Sequence, residues 1–178
     1  GKSDFTDAGS NDIRALVVVC SDSVASGKKS DSAGKIVMEI LQGNGISEPE
    51  YLIISDDKVE IEQKLNTAGN RRVDLLIYCG GTGLSPRDNT PDVLEGLIEK
   101  RIPGIEEAIR NYGQSRTPYA MLSRSIAGTF KDTLVLALPG STKGAEESMN
   151  AVFPAILHIF SVRKGMRHDQ KKEEQKAN

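Results

Sequence analysis

Residues 75–91 read Leu-Leu-Ile-Tyr-Cys-Gly-Gly-Thr-Gly-Leu-Ser-Pro-Arg-Asp-Asn-Thr-Pro. Leu75 to Cys79 is a short apolar run of the kind that forms a buried strand. It stops abruptly at Gly80, Gly81, Thr82 and Gly83. A polar loop follows, with Arg87 beside Asp88. Thr90-Pro91-Asp92 then has the residues of a helix start: a capping hydroxyl, a proline for the first turn and an acid at the positive end of the dipole. Strand, glycine loop and helix start together can cradle a phosphate, because glycines let backbone N–H groups approach an anion. A tight turn needing positive φ explains the glycines equally well. The neighbouring Thr82, Ser85, Arg87 and Asp88 favour the anion site.

Upstream, Ala15 to Cys20 is a continuous apolar run, and Tyr51 to Ile54 is a second short one. Between them, Ile36, Val37, Ile40 and Leu41 have helical spacing, ended by Gly43-Asn44-Gly45. Val59 to Ala68 reads as a helix with Ile61 and Leu65 inward. Downstream, Val93, Leu94, Leu97 and Ile98 form the apolar face of the next helix, and Ile105 to Tyr112 is a short one. Thr117-Pro118 starts another helix, carrying Tyr119 to Leu122. Ser125 to Phe130 and Thr133 to Leu138 read as a hairpin-like strand pair joined by Lys131-Asp132. A last helix runs from Lys143 to about Arg163, kinked or divided at Pro154. This alternation predicts a three-layer α-β-α domain, with a mostly parallel central sheet and one antiparallel element. The domain spans residues 13–163. Residues 1–12 read as a flexible lead-in or linker, and 164–178 as a charged, solvated, frayed tail.

The chain has 178 residues and a formal net charge of −2, so one domain with a substantial core is expected and no basic field draws it to nucleic acid. Four Phe, four Tyr and no Trp leave little for a base-stacking platform. No apolar run is long enough to span a membrane, and no signal peptide is visible, so a cytoplasmic protein is expected. The chain does not begin with Met, which reads as processing or excision. Cys20 and Cys79 lack metal-type spacing and read as reduced, buried thiols. His158 and His168 do not suggest a metal site.

Two tempting motifs fail. Gly34-Lys35 is followed by Ile36, which cannot ligate Mg2+, and Gly27 lies too far upstream for a P-loop. Ser32-Ala-Gly-Lys35 fits Ser-x-x-Lys but lacks the companion motifs of serine acyl-transfer enzymes.

In a parallel α/β sheet, ligands bind beyond the carboxyl ends of the strands. Ser21-Asp22, Asp56-Asp57, Gly80 to Asp88 and Pro139 to Thr142 all follow predicted strands, so they converge on one rim. That rim combines carboxylates with anion cradles and contains no Ser-His or Cys-His pair. It suits Mg2+-assisted phosphoryl or nucleotidyl transfer. Asp56-Asp57 also suits a helix cap, and Arg87 either binds phosphate or pairs with an acid.

Gly80-Gly-Thr-Gly83 with Pro86-Arg-Asp88 and Thr90-Pro91 resembles the signature of the molybdenum-cofactor biosynthesis proteins of the MogA and MoaB type, which include the Cnx and gephyrin G domains. Ser21-Asp22, Tyr119 to Ser125 and Leu138-Pro-Gly140 agree. The resemblance covers about residues 13–163. It implies a molybdopterin adenylyltransferase that transfers AMP from MgATP to the molybdopterin phosphate and releases pyrophosphate. Asp56 and Asp88 match the aspartates needed for activity, through Mg2+ held against the ATP phosphates. Ser21, Asp22, Gly80 to Gly83, Ser123, Arg124, Ser125, Pro139 and Gly140 match substrate-binding positions. After Gly140 the family has a small or polar residue and then proline; here Ser141-Thr142 stand. The resemblance also implies a homotrimer and handover to a molybdate-insertion protein. A non-catalytic molybdopterin-binding or scaffold domain is the alternative, and a nucleotide-binding domain acting on another phosphorylated substrate is a third reading.

Overall fold

The computed structural model describes residues 12–178, so the expected lead-in lies outside the described residues except for Asp12. Six strands form one sheet: β1 (Ala15–Cys20), β2 (Glu50–Ile54), β3 (Leu75–Cys79), β4 (Lys100–Arg101), β5 (Ile126–Phe130) and β6 (Thr133–Leu138), in the order β2-β1-β3-β6-β5-β4. Strands β2, β1, β3 and β6 are mutually parallel; β5 returns antiparallel to β6 and carries the edge strand β4. The carboxyl ends of four neighbouring strands therefore face the same way.

The layers follow from alternation along the strands. In β1, Ala15, Val17 and Val19 join one core cluster, and Leu16, Val18 and Cys20 join the other. Strand β3 divides likewise: Leu75, Ile77 and Cys79 point one way, Leu76 and Tyr78 the other. Both faces are covered, which is why these strands are apolar throughout. A one-turn helix, α1 (Asp22–Ala25), follows β1; the Ser21 hydroxyl caps it by accepting the Val24 amide at 3.3 Å. Val37 and Leu41 of α2 (Ala33–Gly43) pack on the first face, and Ile61 and Leu65 of α3 (Lys58–Asn70) on the second. Helix α4 (Thr90–Glu95) joins the second face, while α5 (Pro103–Gln114) and α6 (Thr142–Val152) contribute Ile109, Ala145 and Met149 to the first.

Three local readings differ from the structure, and the alternative left open at Pro154 is decided. Thr90 does not cap α4; it is the first helical residue, and its side chain is fully buried. Helix α4 stops at Glu95, and Leu97 and Ile98 pack against the core from the turn leading to β4. The closing helix divides at Pro154, which lacks an N–H and leaves Phe153 extended. A short 3-10 turn, Ala155–Leu157, then leads into α7 (His158–Ala177). The charged tail is helical to Ala177 rather than frayed, in keeping with its run of Gln, Lys and Glu, which favour helix.

Candidate functional site

Four loops at the carboxyl ends of β1, β2, β3 and β6 enclose a cleft of about 240 Å3. Ser21, Asp56, Gly80 to Gly83, Asp88 and Gly140 line it. The glycine turn is tightly seated. Gly80 has φ of 109°, and a Cβ there would strike the Cys20 carbonyl of β1. Gly81 has φ of 71° and packs against the Thr90 hydroxyl. Side chains at either position would lift the loop from the sheet.

The two adjacent aspartates after β2 separate cleanly. Asp57 caps α3, its carboxylate accepting the Val59 amide at 3.1 Å. Asp56 lines the cleft instead. Asp56 and Asp22 are cross-braced: Asp22 N–H donates to Asp56 Oδ2 at 3.1 Å, and Asp56 N–H donates to Asp22 Oδ1 at 3.0 Å. Burial holds the Asp56 carboxyl above its ordinary range; the Asp22 amide opposes this, and the charges of Asp22 and Asp88 reinforce it. Asp88 takes the Ser85 amide on Oδ2 at 2.9 Å.

The arginines of the rim are occupied. Arg87 forms a fork on Asp22, with Nε at 2.9 Å and Nη2 at 2.8 Å, and this contact holds the Asp22 carboxyl below its ordinary range. Arg124 reaches back over the glycine loop. Nε donates to Gly83 O at 3.0 Å, Nη2 to Asp88 O at 2.7 Å, and Nη1 to Asp92 at 2.9 Å. Its own N–H donates to Thr82 O at 3.0 Å. Arg124 thus ties both ends of the loop together.

Ser123 and Pro139 lie on a second cavity, about 300 Å3, between α5, α6 and the 3-10 segment Pro118–Leu122. Arg110, Tyr119, Lys143 and Glu147 also line it. Ser125 is buried behind Ser123, the two hydroxyls 3.1 Å apart. Residues 139–141 separate the two cavities, and Gly140 packs so closely that a Cβ there would lie 3.1 Å from Gly80 Cα. Thr142 stands where the resemblance implies a proline, and Ser141 before it caps α6 through its hydroxyl, which accepts the Gly144 amide at 3.1 Å. The Thr142 hydroxyl hydrogen-bonds Ser32 of the α2 cap.

Sequence reasoning did not select the wall formed by Lys29 to Ser32. Asp31 there is buried, bonded to the Tyr51 hydroxyl and to Gly34 N–H. The available signal is the polar run Ser30-Asp31-Ser32 directly before α2. Among the described residues no cluster of His, Cys, Asp and Glu is set to hold a metal by itself. Cys20 and Cys79 are free and buried, and burial pushes the Cys20 thiol up to about 12, so neither supplies a thiolate nucleophile. No helix among the described residues is long and apolar enough to cross a membrane.

The fold and cleft define a three-layer α/β protein whose strand-end loops bring carboxylates and a glycine turn to one cleft. Residues 16–158 match the family model described as a probable molybdopterin binding domain. The chain is 38% identical over 155 residues to a molybdenum cofactor biosynthesis bifunctional protein of Chlorobaculum tepidum, covering 87% of this chain and 50% of that one. It therefore spans about half the length of that relative. It is 36% identical over 149 residues to a molybdopterin adenylyltransferase of Helicobacter pylori, covering 82% and 85% of the two chains. The crystal structure of a molybdopterin biosynthesis protein from Mycobacterium abscessus superposes with a TM-score of 0.81 at 33% identity, over 86% of this chain and 98% of that one. The chain belongs to this molybdopterin-binding family.

Proposed function

We propose that the protein is a molybdopterin adenylyltransferase, moving AMP from MgATP to the terminal phosphate of molybdopterin. The observation that carries the reading is the meeting of Asp56, Asp88 and the Gly80–Gly83 loop in one cleft, with a second cavity immediately across Pro139 and Gly140. Two substrates need two adjoining compartments and a common reaction point.

The second cavity suits the pterin. Tyr119 offers a flat ring, and Ser123, Arg110 and Glu147 offer donors and acceptors for a polar heterocycle. The pterin phosphate then reaches the backbone N–H groups of Gly81 to Gly83, with ATP along the same cleft. Asp56 and Asp88 suit a divalent cation: the Asp56 carboxyl is held up by burial and like charges, a situation that a cation relieves. Two carboxylates are also the usual protein share of a Mg2+ site completed by substrate phosphates. When bound, the ion supplies charge neutralisation at the phosphates.

This chain's residues would then hold the phosphate oxygen in line with the α-phosphorus. Asp22, through its amide, fixes the Asp56 carboxylate, and Arg124 fixes the loop carrying Asp88. No covalent enzyme intermediate is required. Trimeric assembly and handover of product to a molybdate-insertion protein belong to the same proposal.

Incubation with molybdopterin and MgATP should yield adenylyl-molybdopterin and pyrophosphate. Asp88→Asn should lower turnover by roughly 100-fold while leaving pterin binding largely intact. Pterin binding with no ATP-dependent product from the folded wild-type chain would refute the catalytic reading and favour a binding module.

A further inference from the structure

The nucleotide cleft is acidic, and its arginines are engaged. Asp22, Asp31, Asp56 and Asp88 stand at or beside it. Arg87 is forked on Asp22, and Arg124 is held by Gly83 O, Asp88 O and Asp92. Lys29 is different. It lines the cleft and forms no ion pair among the described residues. Its backbone is pinned: Lys28 N–H and Lys29 N–H both donate to Ser23 O, at 2.9 and 3.1 Å, after the turn at Gly27, whose φ is 78°. A short anchored loop thus presents a cation to a cleft otherwise walled by acids.

We propose that Lys29 binds the β- and γ-phosphates of the nucleotide. The inference rests on the adenylyl-transfer reading and names a residue for it. In that step a pterin-phosphate oxygen forms a bond to the α-phosphorus. The bond from that phosphorus to the bridging oxygen breaks, and its electron pair leaves on pyrophosphate. An ammonium beside the leaving group offsets charge as it develops. Lys28, adjacent in sequence but absent from the cleft wall, supplies the comparison.

The test measures binding of MgATP and of magnesium tripolyphosphate to the full chain by calorimetry, with wild type, Lys29→Gln, Lys29→Arg and Lys28→Gln. Lys29→Gln should weaken both ligands by about tenfold, the effect of one charge-assisted contact. Lys29→Arg should stay within about threefold of wild type, because the charge is retained. Lys28→Gln should bind as wild type does, and molybdopterin affinity should be unchanged in all variants. If wild type binds MgATP and Lys29→Gln binds it equally well, or Lys28→Gln loses as much, Lys29 is not the polyphosphate contact. If wild type binds neither polyphosphate ligand, the adenylyl-transfer reading itself falls, and this inference with it.

Discussion

Replacing Arg124 by Met separates a clamp from a substrate ligand. The side chain keeps its apolar stem and loses the guanidinium, with its contacts to Gly83 O, Asp88 O and Asp92. The Arg124 and Asp92 side chains are 33% and 49% exposed, so the ion pair contributes at most about 1 kcal/mol. Each hydrogen bond to a loop carbonyl, made by a charged donor in a half-solvated place, adds about 1 kcal/mol. The sum is about 2–3 kcal/mol. At roughly 2–4 °C per kcal/mol for a chain of this size, Tm should fall by about 5–10 °C. The assay is thermal unfolding of the ligand-free protein followed by near-UV circular dichroism. Arg124→Lys should recover only part of the loss, since a point charge cannot reach three acceptors set in a fork. An unchanged Tm in Arg124→Met, accompanied by weaker molybdopterin or phosphate binding, would refute the clamp and make the guanidinium a substrate contact.

Asp56→Asn should lose turnover yet raise Tm at neutral pH. The fold holds the Asp56 proton more tightly than the unfolded chain does, so wild-type stability falls as pH rises through the window just above the ordinary carboxylate range. The variant lacks that loss, and the two melting curves should converge below the window; a wild type more stable than the variant at neutral pH would contradict this. Gly80→Ala should destabilise by about 3 kcal/mol or more, through positive φ plus collision with the Cys20 carbonyl. Gly27→Ala, with φ of 78° but open space around it, should cost only about 1–2 kcal/mol. Equal urea midpoints for the two variants would show that the close approach to β1 does not matter.

The central strands were legible because β1 and β3 are buried on both faces and therefore apolar at every position. The rim was legible for a related reason: strand ends are sharp, so the polar residues after them fall together. Strand β4 was not, since Lys100–Arg101 carries no apolar pattern and is held only by its pairing with β5. The choice between Asp56 and Asp57 is decided by the turn, which directs one side chain to the α3 amides and the other to the cleft. The second cavity was invisible because Arg110, Lys143 and Glu147 meet only when α5 packs against α6. Composition also does not show where a guanidinium points: both rim arginines face protein acceptors, which only three-dimensional neighbours reveal.

The contact of Gly140 with Gly80 also fixes a distance. The partition between the two cavities is main chain, joined where Gly80 N–H meets Leu138 O at 2.9 Å. Side-chain replacement away from Gly80 and Gly140 can reshape either chamber without moving that joint. On the proposed two-substrate reading it works as a ruler: two ligands lying on opposite sides would meet only if the reach of one across residues 139–141 matched a spacing set by sheet geometry.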